Sequence, residues 1–383
     1  MPPRHGLLDQ ILAEAAVEAG AELREGFTVE ELLSGDRVTG IRGQGKGGQP
    51  VIETAPIVIG ADGLHSLVAR TVQAPHYHEQ HTLTCAYFSY FSGLPVEGAT
   101  IYARERRFLG AFPTNNGRTC VALQLPIEDL DAFRIDIAGH FFQTLELVPE
   151  LADRVRAAQR EERFLGATDM PNFFRKPYGP GWALVGDAGY HKDPYTAQGI
   201  ADAFLGAELL SEALDAGWSG RRDLAAALAD YEQQRNMDAL PKFELNCQLA
   251  SLEPPPPEMH RLFGALVTNP VERAHSFGTI VGTVSIPEFF APANLQRILT
   301  ESGPGEVAFP DLSRSFCAES PCFTSPVGLA KRWPSALQGE WLSREDFGAG
   351  RRARWHCPLA APEKERYALW ENDLKGILHL VEA

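Results

Sequence analysis

Between residues 8 and 19 the apolar side chains Leu8, Ile11, Leu12, Ala15, Ala16 and Ala19 recur three and four positions apart, and Gly20 closes the run. That period predicts an amphipathic helix ended by a glycine cap. Residues 21–43 then read as a short strand, a turn and a strand. Ile57, Val58 and Ile59 are consecutive, which marks a strand covered on both faces. From His76 to about Phe174 the texture is aromatic and strand-like, in TLTCAYFSYFSG, ATIYARERRFLGAFP and RTCVALQLP, with one helical stretch over 137–158. This pattern predicts an antiparallel sheet inserted as a lobe of its own. Trp182 to Val185 return to a buried strand, followed by a glycine-rich bend and a helix from about Gln198 to Leu214. Helical spacing continues over 222–252, where Pro241 predicts a break or kink. EPPPPE at 253–258 reads as an extended spacer, and short helical pieces follow at 259–270 and 285–303. From roughly Pro304 onward the periodicity is too weak to assign a fold. The expected organisation is a first segment 1–75, a β lobe 76–174, a second segment with C-terminal helices 175–300, and a tail 301–383.

VTGIRGQGKGGQPVIE, at 38–53, contains a literal G-x-G-x-x-G at Gly43, Gly45 and Gly48. Such a loop holds phosphate only where a helix follows, because the helix N-terminus supplies the amides and the dipole. Here Gln49-Pro50 and a β-branched run follow instead. The three glycines therefore read as a hairpin turn between strands.

At 383 residues the chain can bury the cores of two or three domains. A net charge of −15 argues against a nucleic-acid surface, which would need a basic stripe. There is no run of about 18 apolar residues to span a membrane, and MPPRHGLLDQ has no apolar leader, so a cytoplasmic address is expected. The six cysteines are scattered without metal-ligand spacing, and buried free thiols are expected.

Two stretches carry candidate chemistry, IVIGADGLHSLVAR and ALVGDAGYHKDPYTAQGI. In each, a strand delivers an aspartate, Asp62 or Asp187, to a glycine-containing turn at the C-terminal edge of a sheet, where ligands collect. An aspartate there can accept hydrogen bonds from ribose-type hydroxyls. Taken singly, Asp62 reads equally well as a cap for the helix beginning near Ser66, and Asp187 as a plain turn residue. The pair, separated by an inserted β lobe, is far more specific.

The pair resembles the two downstream signatures of FAD-dependent monooxygenases of the para-hydroxybenzoate hydroxylase type. Asp62, Gly63, Ser66 and Arg70 match D-G-x-x-S-x-x-R, although Arg70 follows Ser66 by four positions. Gly186, Asp187, Ala188, Pro194, Gln198 and Gly199 match G-D-A-A-H-x-x-x-P-x-x-G-Q-G-x-N, with departures at Gly189, Tyr190, Ala197 and Ala201. His191 sits one place past the family histidine and takes no role from it. The resemblance covers about residues 4–300. It implies an α/β, Rossmann-like FAD/NAD(P)-binding fold with an inserted antiparallel β substrate lobe and a helical C-terminal part, FAD as cofactor and NAD(P)H as electron donor. It implies that Asp187 bonds the ribityl chain, that the backbone near Gly199 and Ile200 faces the isoalloxazine, that Asp62 and Gly63 organise a turn near the pyrophosphate, and that Arg4 is a phosphate contact.

Proteins of that type open with a strand, a true G-x-G-x-x-G loop and a helix, and this sequence shows none of these. The fold is expected to be N-terminally incomplete, with an upstream segment or a separate chain supplying the loop. The aromatic lobe, with Tyr87, Phe88, Tyr90, Phe91, Phe108 and Phe112, could cover an apolar or aromatic substrate, though any one ring reads more often as core. A reductase of the geranylgeranyl reductase type shares both signatures, and a remnant that no longer binds flavin is the non-enzyme alternative. The W-x-W-x-I-P signature of flavin halogenases is absent.

Overall fold

The computed structural model describes residues 5–301, apart from Lys46 and Glu105, together with 316–317. Helix α1 (His5–Glu18) leads to an antiparallel meander, β1 (Thr28–Ser34), β2 (Val38–Gln44) and β3 (Pro50–Thr54), then to β4 (Val58–Gly60) and the short α2 (Leu67–Thr71). Next come β5 (His76–Gln80), β6 (Thr84–Ser92), β7 (Thr100–Arg104), β8 (Arg107–Pro113) and β9 (Thr119–Pro126). Three helices follow, α3 (Leu130–Ile135), α4 (Ile137–Leu145) and α5 (Pro149–Ala157). The chain returns through β10 (Gln159–Arg160), β11 (Leu165–Ala167), β12 (Asn172–Arg175), β13 (Tyr178–Gly179), β14 (Trp182–Leu184) and β15 (Tyr190–His191). Helices α6 (Gly199–Trp218), α7 (Leu224–Ala250), α8 (Pro257–Thr268), α9 (Pro270–Ile280), α10 (Ile286–Phe289) and α11 (Pro292–Glu301) complete it, with β16 (Phe316–Cys317) beyond.

The centre is the parallel pair β4 and β14, in register Trp182 to Val58 and Leu184 to Gly60. Their apolar runs are buried on both faces, as consecutive β-branched residues require. On one side Ile57, Ile59, Ala183 and Val185 pack on Leu210 and Leu214 of α6 and Leu228 and Tyr231 of α7. On the other, Val58, Trp182 and Leu184 meet Leu32, Val38 and Val68. The sheet order is β13-β14-β4, so the far edge of β4 carries no strand among the described residues.

The lobe is a seven-stranded sheet in which every pair is antiparallel. Its alternation settles the roles of the aromatic residues. Tyr87 and Phe91 point into the core with Leu109, Val121 and Leu123, against α3, α4 and α5, and are not available to a substrate. Phe88, Tyr90, Phe108 and Phe112 lie on the opposite face, where Phe88 pairs with Ala122, Tyr90 with Cys120 and Phe108 with Gln124. That face turns toward the β4/β14 half, for Phe108 meets Tyr195 with ring centroids 5.1 Å apart. β5, which lies within the expected bounds of the lobe, pairs instead with β12 in a bridging sheet, order β15-β12-β5.

Two expectations change. α7 runs on through Pro241 without a break. Of the three glycines in the apparent phosphate loop, Gly45 and Gly48 form the turn of the β2–β3 hairpin, but Gly43 lies inside β2, paired to both neighbours. A Cβ on Gly43 would sit 2.2 Å from the Thr28 carbonyl oxygen, so glycine is required there by close packing of strands.

Gly43→Ala is therefore expected to cost about 1–3 kcal/mol, a fall of roughly 2–10 °C in melting temperature. Gly45→Ala, with nothing within 4 Å of its added methyl, should leave the melting temperature unchanged. Differential scanning calorimetry of the two variants checks this, and equal melting temperatures would refute the close-packing account.

Candidate cofactor site

Because β4 and β14 are parallel neighbours, the turns that follow them leave the same edge of one sheet. This brings the turns that carry Asp62 and Asp187 to the same sheet edge. Gly63 (φ 72°) and Gly186 (φ 59°) turn the chain in the left-handed region that favours glycine. In the first turn, Asp62 Oδ2 accepts the Leu67 amide at 2.7 Å and the Val68 amide at 3.3 Å, while Ser66 Oγ accepts the Ala69 amide at 2.9 Å. The capping role thus belongs to both side chains. Asp62 Oδ1 is buried with no partner among the described residues.

The second turn is more loaded. The Asp187 side chain is 14 % exposed, and its Oδ2 lies 3.9 Å from His191 Nε2. Burial, together with the charge of Asp202, raises its pKa to about 8, although Lys192 opposes the shift. His191 is pushed the other way by its own burial, and its Nδ1 bonds the Pro171 carbonyl. Lys192, 4 % exposed, forms an ion pair with Asp202 in the first turn of α6 and donates to Tyr190 Oη at 2.9 Å. A cavity of about 30 Å³ lies among Asp187, Lys192, Gly199, Asp202, Arg235 and Asp238, room for a water or two.

Arg175 ties the two turns together. Its guanidinium, 8 % exposed, donates to the Leu64 carbonyl at 3.3 Å and the Ala188 carbonyl at 3.0 Å, one in each turn, and its Nε bonds His76 Nε2 at 2.7 Å. The Phe173 ring lies 4.3 Å beneath it. Arg235 supports it, donating to the Gly189 and Arg175 carbonyls, each at 3.1 Å. Neither arginine was picked out from sequence. A lone basic pair interrupting the apolar run at NFFRKP was the available signal.

The remaining sequence candidates are placed as follows. Pro194 is exposed, in a short 3-10 turn Pro194–Thr196. Gln198 precedes α6 but does not cap it; its buried amide instead donates to the Ile280 carbonyl. A Cβ on Gly199 would meet nothing within 4 Å, so the first turn of α6 opens onto free space, with Ile200 half-buried beside it. Arg4 lies outside the described residues.

The FAD binding domain family matches residues 6–239, more than half of the chain. The chain belongs to that family. Among known relatives, digeranylgeranylglycerophospholipid reductase 2 of Methanopyrus kandleri is 29 % identical over 224 residues, covering 55 % of each protein. Kynurenine 3-monooxygenase of Salinispora arenicola is 28 % identical over 269 residues, covering 60 % of this chain and 55 % of that protein. The chain thus spans about half the length of these relatives. In three dimensions a flavin-dependent brominase superposes with a TM-score of 0.61 at 18 % identity, over 77 % of this chain and 74 % of that one, a likeness of fold.

The residues present fit one end of FAD. Asp187 is a nearly buried acid that, among the described residues, pairs with no donor closer than His191, and a ribityl hydroxyl would supply one. The uncapped N-terminus of the 20-residue α6 presents free amides and a positive dipole end toward open space. Among the described residues nothing comparable serves the diphosphate, because Gly43, Gly45 and Gly48 belong to the β2–β3 hairpin. Among the described residues no group of His, Cys, Asp and Glu could hold a metal ion. None of their helices is long and apolar enough to cross a membrane.

The Asp187 carboxyl has an ordinary value of 3.8 and is raised to about 8 in the folded chain, so between these limits the native state holds a proton that the unfolded chain has released. Stability should therefore fall as pH rises from about 4 to about 8. Asp187→Asn, neutral throughout, is expected to flatten that decline in urea titrations at successive pH values. A decline as steep as in the wild type would remove the assignment.

Proposed function

We propose that this chain is the flavin-ring and substrate-covering part of an FAD-dependent, NAD(P)H-consuming monooxygenase of the cytoplasm, acting on an apolar or aromatic small molecule. The observation that carries the reading is Asp187, a desolvated carboxylate lacking a close donor, set beside the uncapped start of α6 and beneath an aromatic sheet face. FAD, when bound, supplies the redox chemistry between the nicotinamide donor and oxygen.

The chain's own residues then have separable tasks. Asp187 accepts from the ribityl hydroxyls, with Gly186 letting the chain turn closely beneath them. The α6 N-terminus at Gly199 and Ile200 directs its positive end at the ring edge that gains negative charge on reduction. Asp62, through its unpartnered Oδ1, receives a donor on the far side of the cleft. Phe88, Tyr90 and Phe112 exclude water above it and supply apolar contact to a substrate. A further strand pairing with the free edge of β4, from an upstream segment or a separate chain, would carry the diphosphate loop to the same sheet edge as Asp62 and Asp187.

A second reading is favoured by the likeness to the digeranylgeranylglycerophospholipid reductase, in which the same site would saturate a carbon–carbon double bond. The two readings divide on oxygen. With the diphosphate loop supplied in cis or in trans, the monooxygenase consumes oxygen along with NAD(P)H and releases a hydroxylated product. A protein that oxidises NAD(P)H against an isoprenoid acceptor under argon supports the reductase instead.

In the same FAD-loaded preparation, held above pH 8 where the Asp187 carboxyl is ionised, Asp187→Ala should raise the FAD dissociation constant about tenfold or more, the loss of a charge-assisted hydrogen bond of about 1.5–3 kcal/mol. His191→Ala should leave it nearly unchanged. Equal affinities of the two variants by fluorescence titration would sink the role given to Asp187.

A further inference from the structure

Asp193 is fully buried, carries a carboxylate, and lies one residue before the turn that leads into α6. Its three acceptor contacts come from two different halves of the molecule. Thr84 Oγ1 of β6 donates to Oδ2 at 2.5 Å and Gln124 Nε2 of β9 donates to Oδ1, both from the inner face of the lobe sheet. The Tyr195 amide donates to Oδ1 at 3.1 Å within the turn itself. Gln124 Nε2 also bonds Thr84 Oγ1 at 2.7 Å, closing the triangle.

The backbone of the same residue is held from two further elements. Its amide donates to Asn172 Oδ1 of β12 at 2.7 Å, and its carbonyl accepts from Asn246 Nδ2 of α7 at 2.9 Å. Asn246 Oδ1 in turn accepts the Thr196 hydroxyl at 2.8 Å. Thr84, Asn172, Asp193 and Asn246 are each fully buried, and Gln124 is 4 % exposed. A buried, fully donated-to carboxylate surrounded by fixed amides tolerates little displacement, because moving any one member strands the others without partners. In contrast, the groups just beyond, Pro194 and Ala197, are exposed, and Gly199 faces open space.

We propose that Asp193 is a positioning residue that locks the inner face of the lobe to the turn presenting the α6 N-terminus. Through it, the sheet bearing Phe88, Phe108 and Phe112 and the amides of Gly199 and Ile200 keep one relative placement. The packing of the Tyr195 ring on Phe108 rides on the same lock. The functional meaning of that placement rests on the flavin-facing role given to α6 above; the lock itself does not.

The test is hydrogen exchange, read by mass spectrometry on the full chain, of Thr84→Val, Gln124→Met and Thr84→Ser. Thr84 is 109 residues from Asp193 in sequence, and Val keeps its shape without the donor. Thr84→Val and Gln124→Met should speed exchange of the hydrogen-bonded Tyr195, Thr196 and Ala197 amides about tenfold or more, with the amides of α4 and α5 unchanged, while Thr84→Ser keeps the wild-type rate. Cys85→Ala, whose side chain points to the lobe core, should leave these three amides unchanged. Unchanged exchange at 195–197 in both Thr84→Val and Gln124→Met, or acceleration only in step with the whole chain, overturns the proposal. Local acceleration without any change in the visible spectrum of FAD-loaded protein upholds the lock and removes the flavin-facing role of α6.

Discussion

The arrangement depends on one buried guanidinium. Two parallel strands end side by side, but parallel strands alone do not fix the turns beyond them, whose carbonyls must otherwise find water or lose their partners. Arg175 gives those carbonyls a shared donor set, reaching Leu64 and Ala188 with one nitrogen while His76 accepts from another. Burial lowers its pKa, and the nearby Asp62 charge acts against that shift. Five rigid donors in one plane suit this task, which the single ammonium of a lysine could not perform. The spacing of the turns that carry Asp62 and Asp187 is therefore held by one side chain, itself backed by Arg235 and stacked on Phe173.

Around that centre the charges are arranged by pairing. Lys192 is held by Asp202, and Lys242 in turn reaches Asp202 at 3.9 Å and pairs with Asp238. A buried ion pair of this kind contributes little net stability but fixes geometry, since removing either partner leaves a lone buried charge. Asp187 is the exception, close to these groups yet without a hydrogen-bonding partner among the described residues. An unsatisfied, desolvated acid beside neutralised ones is where a ligand's donors gain most.

Much of this was legible in the residues. Strand identity came from the run Ile57 to Ile59, and both site turns came from an aspartate and glycine placed at a strand end. The decoy glycines were recognisable because Pro50 and a β-branched run follow them. What the sequence could not show was partnership across distance. Arg175 and Asp193 look ordinary in the chain, and their roles arise only when residues about 100 positions away, Leu64 and Thr84, fold against them. The division of the aromatic lobe also needed the register, since a one-residue slip would exchange Tyr87 and Phe91 for Phe88 and Tyr90. Pro241 was read as a breaker because the lone sequence gives no hint of packing strong enough to carry a helix past it.

The central claim is that the described residues hold the ring and ribityl end of the cofactor and not its diphosphate. Titration of the isolated chain with riboflavin and with FAD, side by side, addresses it directly. With no diphosphate contact from the described residues, the two should bind with dissociation constants within about threefold of one another, both weakly. FAD bound about a hundredfold or more tighter than riboflavin, or riboflavin that does not bind at all, would contradict the account.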